Sequence, residues 1–377
     1  MNYLQEHQIW LSRLNEEVSI FLDSLKKNTS GYSYFPARDG LTEYGSKLEL
    51  GFSCYALKVK YTLNNEKYSG NNHLYEWSNY LNKFQKNSQH FPENSYIDNN
   101  FLKFHNEFIL SKFTKNTIKK LLNKIGNYNY LTAEEALANY IKAESKQAIS
   151  TLYEINSKNK KPYVQFPNSK KDIHNYLTKL DWKYPWNAGA QYAALCLFTA
   201  TQDIPNKNES IKELSGFIKG MVNIENGCYS SKGVSNKSEL VNGSMKVLTG
   251  LDWINMEIHF PNNLIDYCLN IKPNSEGCDL VDVVYVLYRC SLETTYKSDE
   301  VKEYLNNLVP IIKTHYIEKD GGFSYFKNKS QTHYYGLNIT KGLNTADLHG
   351  TVLLVWALSM ILSVLEYEKM EWNVLKP

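Results

Sequence analysis

The stretch DGGFSYFKNKSQTHYYGLNITKGLNTADLHGTVLLVWALSMILSVLEYEKM, residues 320–370, decides the fold. It opens on a Gly-Gly-aromatic turn at Gly321-Gly322-Phe323 and crosses a polar loop carrying His333, Tyr334 and Tyr335. At Asp347-Leu348-His349-Gly350 it enters a strongly apolar helix. The same order of events recurs twice upstream. Gly31 to Phe35 leads through Arg38, Asp39, Glu43 and Lys47 into Leu50 to Leu57, and Gly227 to Ser230 leads through a polar loop into Val241 to Leu248.

Between these points helical periodicity dominates, and strand-like alternation is nearly absent. Trp10, Leu14, Val18, Phe21, Leu22 and Leu25 mark an amphipathic helix over residues 9–25. Thr132 with Glu135 three residues on reads as a capping box that starts another. The pattern gives about seven helix, loop, helix units, one of them pairing His73–Phe84 with Asn99–Phe113 and the next opening with Asn116–Ile125. In each unit the first helix is charged on one side and the second is apolar almost all round. A helix apolar all round must be covered on every side. The second helices are therefore expected to form an inner ring and the first an outer one: an all-α, α/α-toroid fold of six to seven hairpins around a central cavity, with the Gly-containing loops at its mouth. No linker composition interrupts residues 1–377, so one domain is expected.

Lys plus Arg is 42 against 39 for Asp plus Glu, and a net charge of +3 does not suggest a nucleic-acid binder. The most apolar segment, residues 351–365, is shorter than the roughly 20 residues that cross a bilayer. No basic stretch followed by an apolar run marks a signal peptide, so the cytoplasm is the expected location. Cys54, Cys196, Cys268 and Cys290 fall within apolar helical pattern and read as reduced core residues. The expected partner is a small-molecule or glycan substrate, with no nucleic acid and no membrane span.

The Asp-Gly-Gly-Phe and Gly-Cys-Tyr-Ser turns feeding apolar helices resemble the repeats of the α/α-toroid superfamily that holds terpenoid cyclases and protein prenyltransferase β subunits. The resemblance covers residues 227–365, with an extension to Gly31. It implies the ring architecture; it also allows a comparison of Glu276, Cys278 and His349 with the zinc ligands of prenyltransferases, a Glu standing where the family has Asp. A zinc-dependent, prenyltransferase-like enzyme is thus one alternative. No DxDD or DDxxD motif is present, which argues against isoprenoid cyclisation. Other α/α barrels act on glycans with the same geometry, and fold alone does not choose between them.

Inner-helix starts favour negative charge through their unpaired N–H groups and dipole. Arg38, Lys47 and Lys246 lie near three such starts, with Arg38 the best candidate to grip an anion. Asp279 and Asp282, three apart, share a helix face and offer acid and base. His333, Tyr335 and His349 complete the expected catalytic set, and Lys246, Trp186 and Tyr334 join Arg38 as substrate-binding candidates. Trp356, at helical spacing, reads as core. Glu144 and Gln147 sit mid-helix on an otherwise inner pattern, and the sequence does not orient them. The favoured expectation is an enzyme without a cofactor that performs acid/base chemistry on an anionic glycan or sugar at the mouth. Zinc chemistry and a non-catalytic glycan- or peptide-binding toroid are the alternatives.

Overall fold

A computed structural model of the chain describes residues 3–28, 31–64, 71–111, 132–275 and 277–377. Its helices in chain order are α1 (Tyr3–Glu6), α2 (Gln8–Ser24), α3 (Glu43–Lys47), α4 (Leu50–Thr62), α5 (Asn71–Asn82), α6 (Asn99–Ser111), α7 (Ala133–Glu154) and α8 (Lys170–Thr178). They continue with α9 (Pro185–Thr201), α10 (Lys207–Lys219), α11 (Lys237–Trp253), α12 (Pro261–Leu269), α13 (Cys278–Ser291), α14 (Ser298–Lys313) and α15 (Leu348–Val364). Three two-stranded hairpins complete the list: β1–β2 (Gln85–Lys86, Ser95–Tyr96), β3–β4 (Tyr316–Ile317, Gly322–Phe323) and β5–β6 (His333–Tyr334, Leu337–Asn338).

Packing closes a ring. In order α4, α7, α9, α11, α13 and α15 each contact the next, and α15 returns to α4. Helix α15 shows why: it is buried from Leu348 through Leu362 with few gaps, so only a position walled by neighbours on all sides suits it. The outer helices are one-sided. Helix α2 buries Trp10, Leu11, Leu14, Val18, Phe21 and Leu22, each contributing about 1.5–3 kcal/mol of apolar burial, and turns its other face to water.

All six ring helices run in the same direction. Early residues meet early ones, as Asn242 of α11 meets Asp279 of α13, and late ones meet late ones, as Tyr285 of α13 meets Trp356 of α15 at 5.3 Å. Helices α9 and α11 approach so closely that a Cβ on Gly243 would lie 2.5 Å from Pro185 Cβ. That contact accounts for the small residues at the head of these helices.

The recurrent Gly-aromatic turns are tight antiparallel reversals between an outer helix and the loop that follows. Lys26 pairs with Tyr34, Val222 with Tyr229, and Tyr316 with Phe323. Gly227 and Gly321 take positive φ there, and Tyr34, Tyr229 and Phe323 are buried beneath the turns. Thr132 caps α7, with its hydroxyl accepting from Glu135 N and the Glu135 carboxylate accepting from Thr132 N, the box read from the sequence.

Six helices, the lower of the six to seven hairpins expected, form the ring among the described residues: α5 packs on α4, while α6 packs on the short α3 outside the ring. Residues 116–125, expected as a helix, lie outside the described residues. One expectation changes. Helix α11 starts at Lys237 under an Asn236 cap, a turn before the expected Val241, so Lys246 lies deep in the helix rather than near its start. All six cysteines are free, and Cys54, Cys196, Cys268 and Cys290 are buried. Among the described residues no helix is long and apolar enough to cross a membrane.

Candidate active site

Because the ring helices are parallel, their N-terminal ends gather at one mouth. The β5–β6 hairpin reaches over it. Its two-residue turn is Tyr335-Gly336, both at positive φ, 45° and 84°. Gly336 adopts this without strain, but an aromatic residue in the left-handed region costs about 1 kcal/mol or more. Such an outlier persists when the surroundings enforce it. Here Thr42 N donates to Ile339 O at 3.1 Å, Thr42 Oγ1 donates to Asn338 O at 2.7 Å, and Leu41 pairs with Thr340, so the α3 segment fixes the root of the hairpin.

From this hairpin Tyr334 points inward and donates its hydroxyl to Glu144 Oε1 on α7. Gly51 of α4 makes room: a Cβ there would collide with the Tyr334 hydroxyl. Glu144 is buried, and its Oε2 has no hydrogen-bond partner. Burial raises its pKa to about 8, against the opposing hydrogen bond from Tyr334, so the carboxyl is largely protonated at neutral pH. Gln147, one turn on, donates to Gly51 O at 3.1 Å and ties α7 to α4.

His349, in the first turn of α15, is clasped between two phenols. Tyr55 stacks on it at 4.8 Å with planes 4° apart, and Tyr325 at 5.0 Å. Its Nδ1 is buried without a partner. Burial, and then the Lys246 cation, lower its pKa to about 3, so the ring is neutral. Beside it Asp282 of α13 is 2% exposed with Oδ2 unpartnered; burial raises it to about 7 although Lys246 opposes that rise. Asp279 accepts from Asn242 Nδ2 at 2.7 Å. Tyr335 packs edge-on to Tyr140 at 5.0 Å and to Tyr334 at 4.8 Å. Its phenol is raised by burial and then by Glu144 and Cys278, yet about half of its surface (51%) remains accessible. Tyr335 is therefore half-exposed at the edge of the mouth.

The structure thus brings together Tyr334, Tyr335, His349, Asp282, Asp279 and Lys246 from the expected set. It leaves three apart. His333 alternates to the opposite side of its two-residue strand, is exposed, and bonds its own neighbour, Thr332 Oγ1, at 3.0 Å. Arg38 lies 3.9 Å from Asp320, whose other oxygen accepts from Ala346 N, so its partner belongs to the turn and not to the mouth. Trp186, expected in a loop, opens α9 on the rim, 41% exposed, with its backbone N–H donating to Glu239 Oε1. Asp347 is a structural hub: it caps α15 at Gly350 N and also accepts from Tyr325 N and Gln331 N. Trp356 is core, 5% exposed.

Sequence reasoning missed Tyr55 and left Glu144 unoriented. The available signal was Tyr55 and Lys58 within the largely apolar α4, and Tyr140, Glu144 and Gln147 at helical spacing along α7.

For the zinc alternative, Glu276 lies outside the described residues. Cys278 and His349 both face Tyr325, whose hydroxyl is 3.5 Å from the Cys278 sulfur and whose face takes the His349 ring. Burial, and then Asp282, raise the Cys278 thiol above its usual range. Among the described residues no three of His, Cys, Asp and Glu gather closely enough to hold a metal ion.

Fold and site together define an α/α toroid with an aromatic mouth holding titratable groups without partners. No protein family model and no curated protein matches the chain. Among solved structures it is similar to one titled a polysaccharide lyase, at 10% identity and a TM-score of 0.46, covering 97% of this chain and 99% of that one.

Proposed function

We propose that the mouth is the active site of an enzyme that moves protons on an anionic glycan or sugar, with β-elimination next to a uronate carboxyl as the reaction the residues suit best. The observation that carries this reading is the convergence of two buried, unpartnered polar atoms, His349 Nδ1 and Asp282 Oδ2, on the Lys246 cation, with a third, Glu144 Oε2, beneath the hairpin that carries Tyr334 and Tyr335. Leaving such atoms unmade costs about 1–3 kcal/mol each, a cost that substrate contacts would remove.

Elimination needs three things: neutralisation of the carboxylate so that the adjacent C–H becomes acidic, a base for that proton, and an acid for the departing oxygen. Lys246 and the protonated Glu144 suit the first, one as a cation and the other as a hydrogen-bond donor to a carboxylate. His349, neutral and with a free nitrogen, suits the second. A substrate anion beside Lys246 would offset that cation's effect on the imidazole and make it more basic. Tyr335, at the accessible edge of the recess, suits the third, and the faces of Tyr335 and Trp186 suit sugar rings. Asp282 and Asp279 hold the charge balance around Lys246. His333 and Arg38 are given no role.

The test is turnover of uronate-containing oligosaccharides, read as ultraviolet absorbance from the new conjugated double bond, beside neutral oligosaccharides. Product from uronate substrates alone, lost in His349→Ala, is the expected result. Absence of product from any uronate substrate, with binding intact, would leave the non-catalytic alternative.

A further inference from the structure

Below the mouth, the ring interior holds a column of lysines. Lys58 comes from α4, Lys146 from α7 and Lys246 from α11, and all three are partly exposed. Helices α7 and α11 stand on either side of α9 in the ring, yet Lys146 lies within electrostatic reach of both Lys246 and Lys58. Lys146 is one turn before Ser150, the hydroxyl that Lys58 reaches, and side chains of ring helices that are not neighbours come within such reach across the interior. Lys246 in turn acts on His349 and Asp282, which places it at the top of the column under the mouth. Lys58 Nζ reaches Ser150 Oγ at 3.2 Å and stands nearer Glu154, toward the base.

Among the described residues none of the three lysines forms an ion pair with a carboxylate. Partly buried like charges from three elements repel one another, and the repulsion is relieved by an anion between them. Ammonium groups act as separate point charges, and three of them from different helices can each take one oxygen of a tetrahedral oxyanion.

We infer that the lysine column receives a second anionic group of the substrate, a sulfate ester or the chemically similar phosphate ester, so that the preferred ligand is a polyanionic glycan bearing such a group beside its uronate. This rests on the reading of the mouth given above and extends it inward by one subsite. Lys246 is shared between the two anions, and Lys146 belongs to the second.

The test is equilibrium binding without turnover. Inorganic sulfate, an unsulfated uronate disaccharide and its sulfated counterpart are titrated into the full chain, with sodium chloride at matched ionic strength as control. In wild type the sulfated disaccharide is expected to bind about tenfold more tightly than the unsulfated one, as a charge-assisted contact supplies. Lys146→Met closes that gap and Lys146→Arg preserves it; the unfolding temperature of each variant without ligand shows that it folds. Equal binding of the two disaccharides in wild type, or a gap that survives in Lys146→Met, overturns the inference. So does sulfate binding that depends on Lys146 while the disaccharides bind alike, since the site would then take a free oxyanion. Failure to turn over any uronate glycan overturns the mouth reading alone, because the sulfate-dependent gap is measured without chemistry.

Discussion

At the end where the six ring helices finish, Asp252 lies 3.4 Å from Arg289 and 3.7 Å from Lys376, and it accepts from the Tyr285 hydroxyl at 3.3 Å. Both oxygens of Glu154 accept from Lys376 N, Trp253 Nε1 donates to Pro377 O, and Asn373 N donates to Thr62 O, so residues 373–377 cover that end. At the end where the same helices begin, Glu144, Asp282 and His349 each keep a buried polar atom without a partner, and Lys246 has no carboxylate within ion-pair distance among the described residues. One set of helices therefore carries ion-paired charges at the base, where Arg289 Nε alone of the groups just named lacks a partner, and acid and imidazole atoms left incomplete at the mouth. Buried polar groups are satisfied where structure is their purpose. The mouth departs from this in an aromatic recess, as a site shaped for a ligand would.

The comparison can be broken by mutation. The largest expected effect is on turnover: His349→Ala or Lys246→Met should lower kcat/KM on a uronate substrate by about 10²–10⁴-fold, the span of general acid–base contributions, while leaving the unfolding temperature unchanged or higher. Loss of folding in Lys246→Met would mean that the lysine is structurally paired after all. Next comes the base, where Arg289→Met should cost about 1–2 kcal/mol in chemical denaturation, because it leaves Asp252 with Lys376 and the Tyr285 hydroxyl alone. A neutral result there would erase the contrast between the two ends.

The pH dependence sharpens the same contrast. Glu144 is raised from 4.5 to about 8, so the stability that its neutral form lends is fully present below pH 4.5 and is lost as pH rises through 8. Glu154 at the base, raised to about 7 mainly by burial, acts in the same direction. Glu144→Gln should thus reduce, without abolishing, the fall in unfolding temperature between pH 5 and pH 9. An unchanged slope would show that Glu144 ionises freely. Gly51→Ala should cost about 1–3 kcal/mol by pushing Tyr334 off Glu144, and Tyr334→Phe in that background should recover part of the loss. The smallest effect belongs to Arg38→Ala: with its half-exposed side chain 3.9 Å from Asp320, it should change stability by at most about 0.5 kcal/mol and leave turnover intact.

Much of the architecture was legible because burial on all sides leaves a direct mark on composition. Helix α15 is apolar almost throughout, and α2 shows the one-sided stripe of an outer helix. The Thr132 and Glu135 pair set the start of α7 by local hydrogen bonding alone. The excess unit arose because α6 has helical pattern but no place in the ring, and pattern does not record neighbours. The site was legible in its loops and less so in its helices. Tyr334 and Tyr335 stood out in a polar stretch, whereas the inward aim of Tyr55 and Glu144 depends on which side of each helix faces the axis. Lys246 was placed near a helix start because the Asn236 cap went unread. His333 was grouped with Tyr334 although a strand of only two residues sends neighbouring side chains to opposite faces.

The most direct test of the mouth as an incomplete, anion-seeking site is calorimetric binding of a uronate oligosaccharide and its neutral analogue to wild type and to Lys246→Met. The account predicts one uronate ligand per chain, binding that weakens as salt rises, and an affinity about tenfold lower in the variant, with little binding of the neutral analogue. Equal affinity for the two oligosaccharides, or a uronate affinity indifferent to the loss of Lys246, would contradict it.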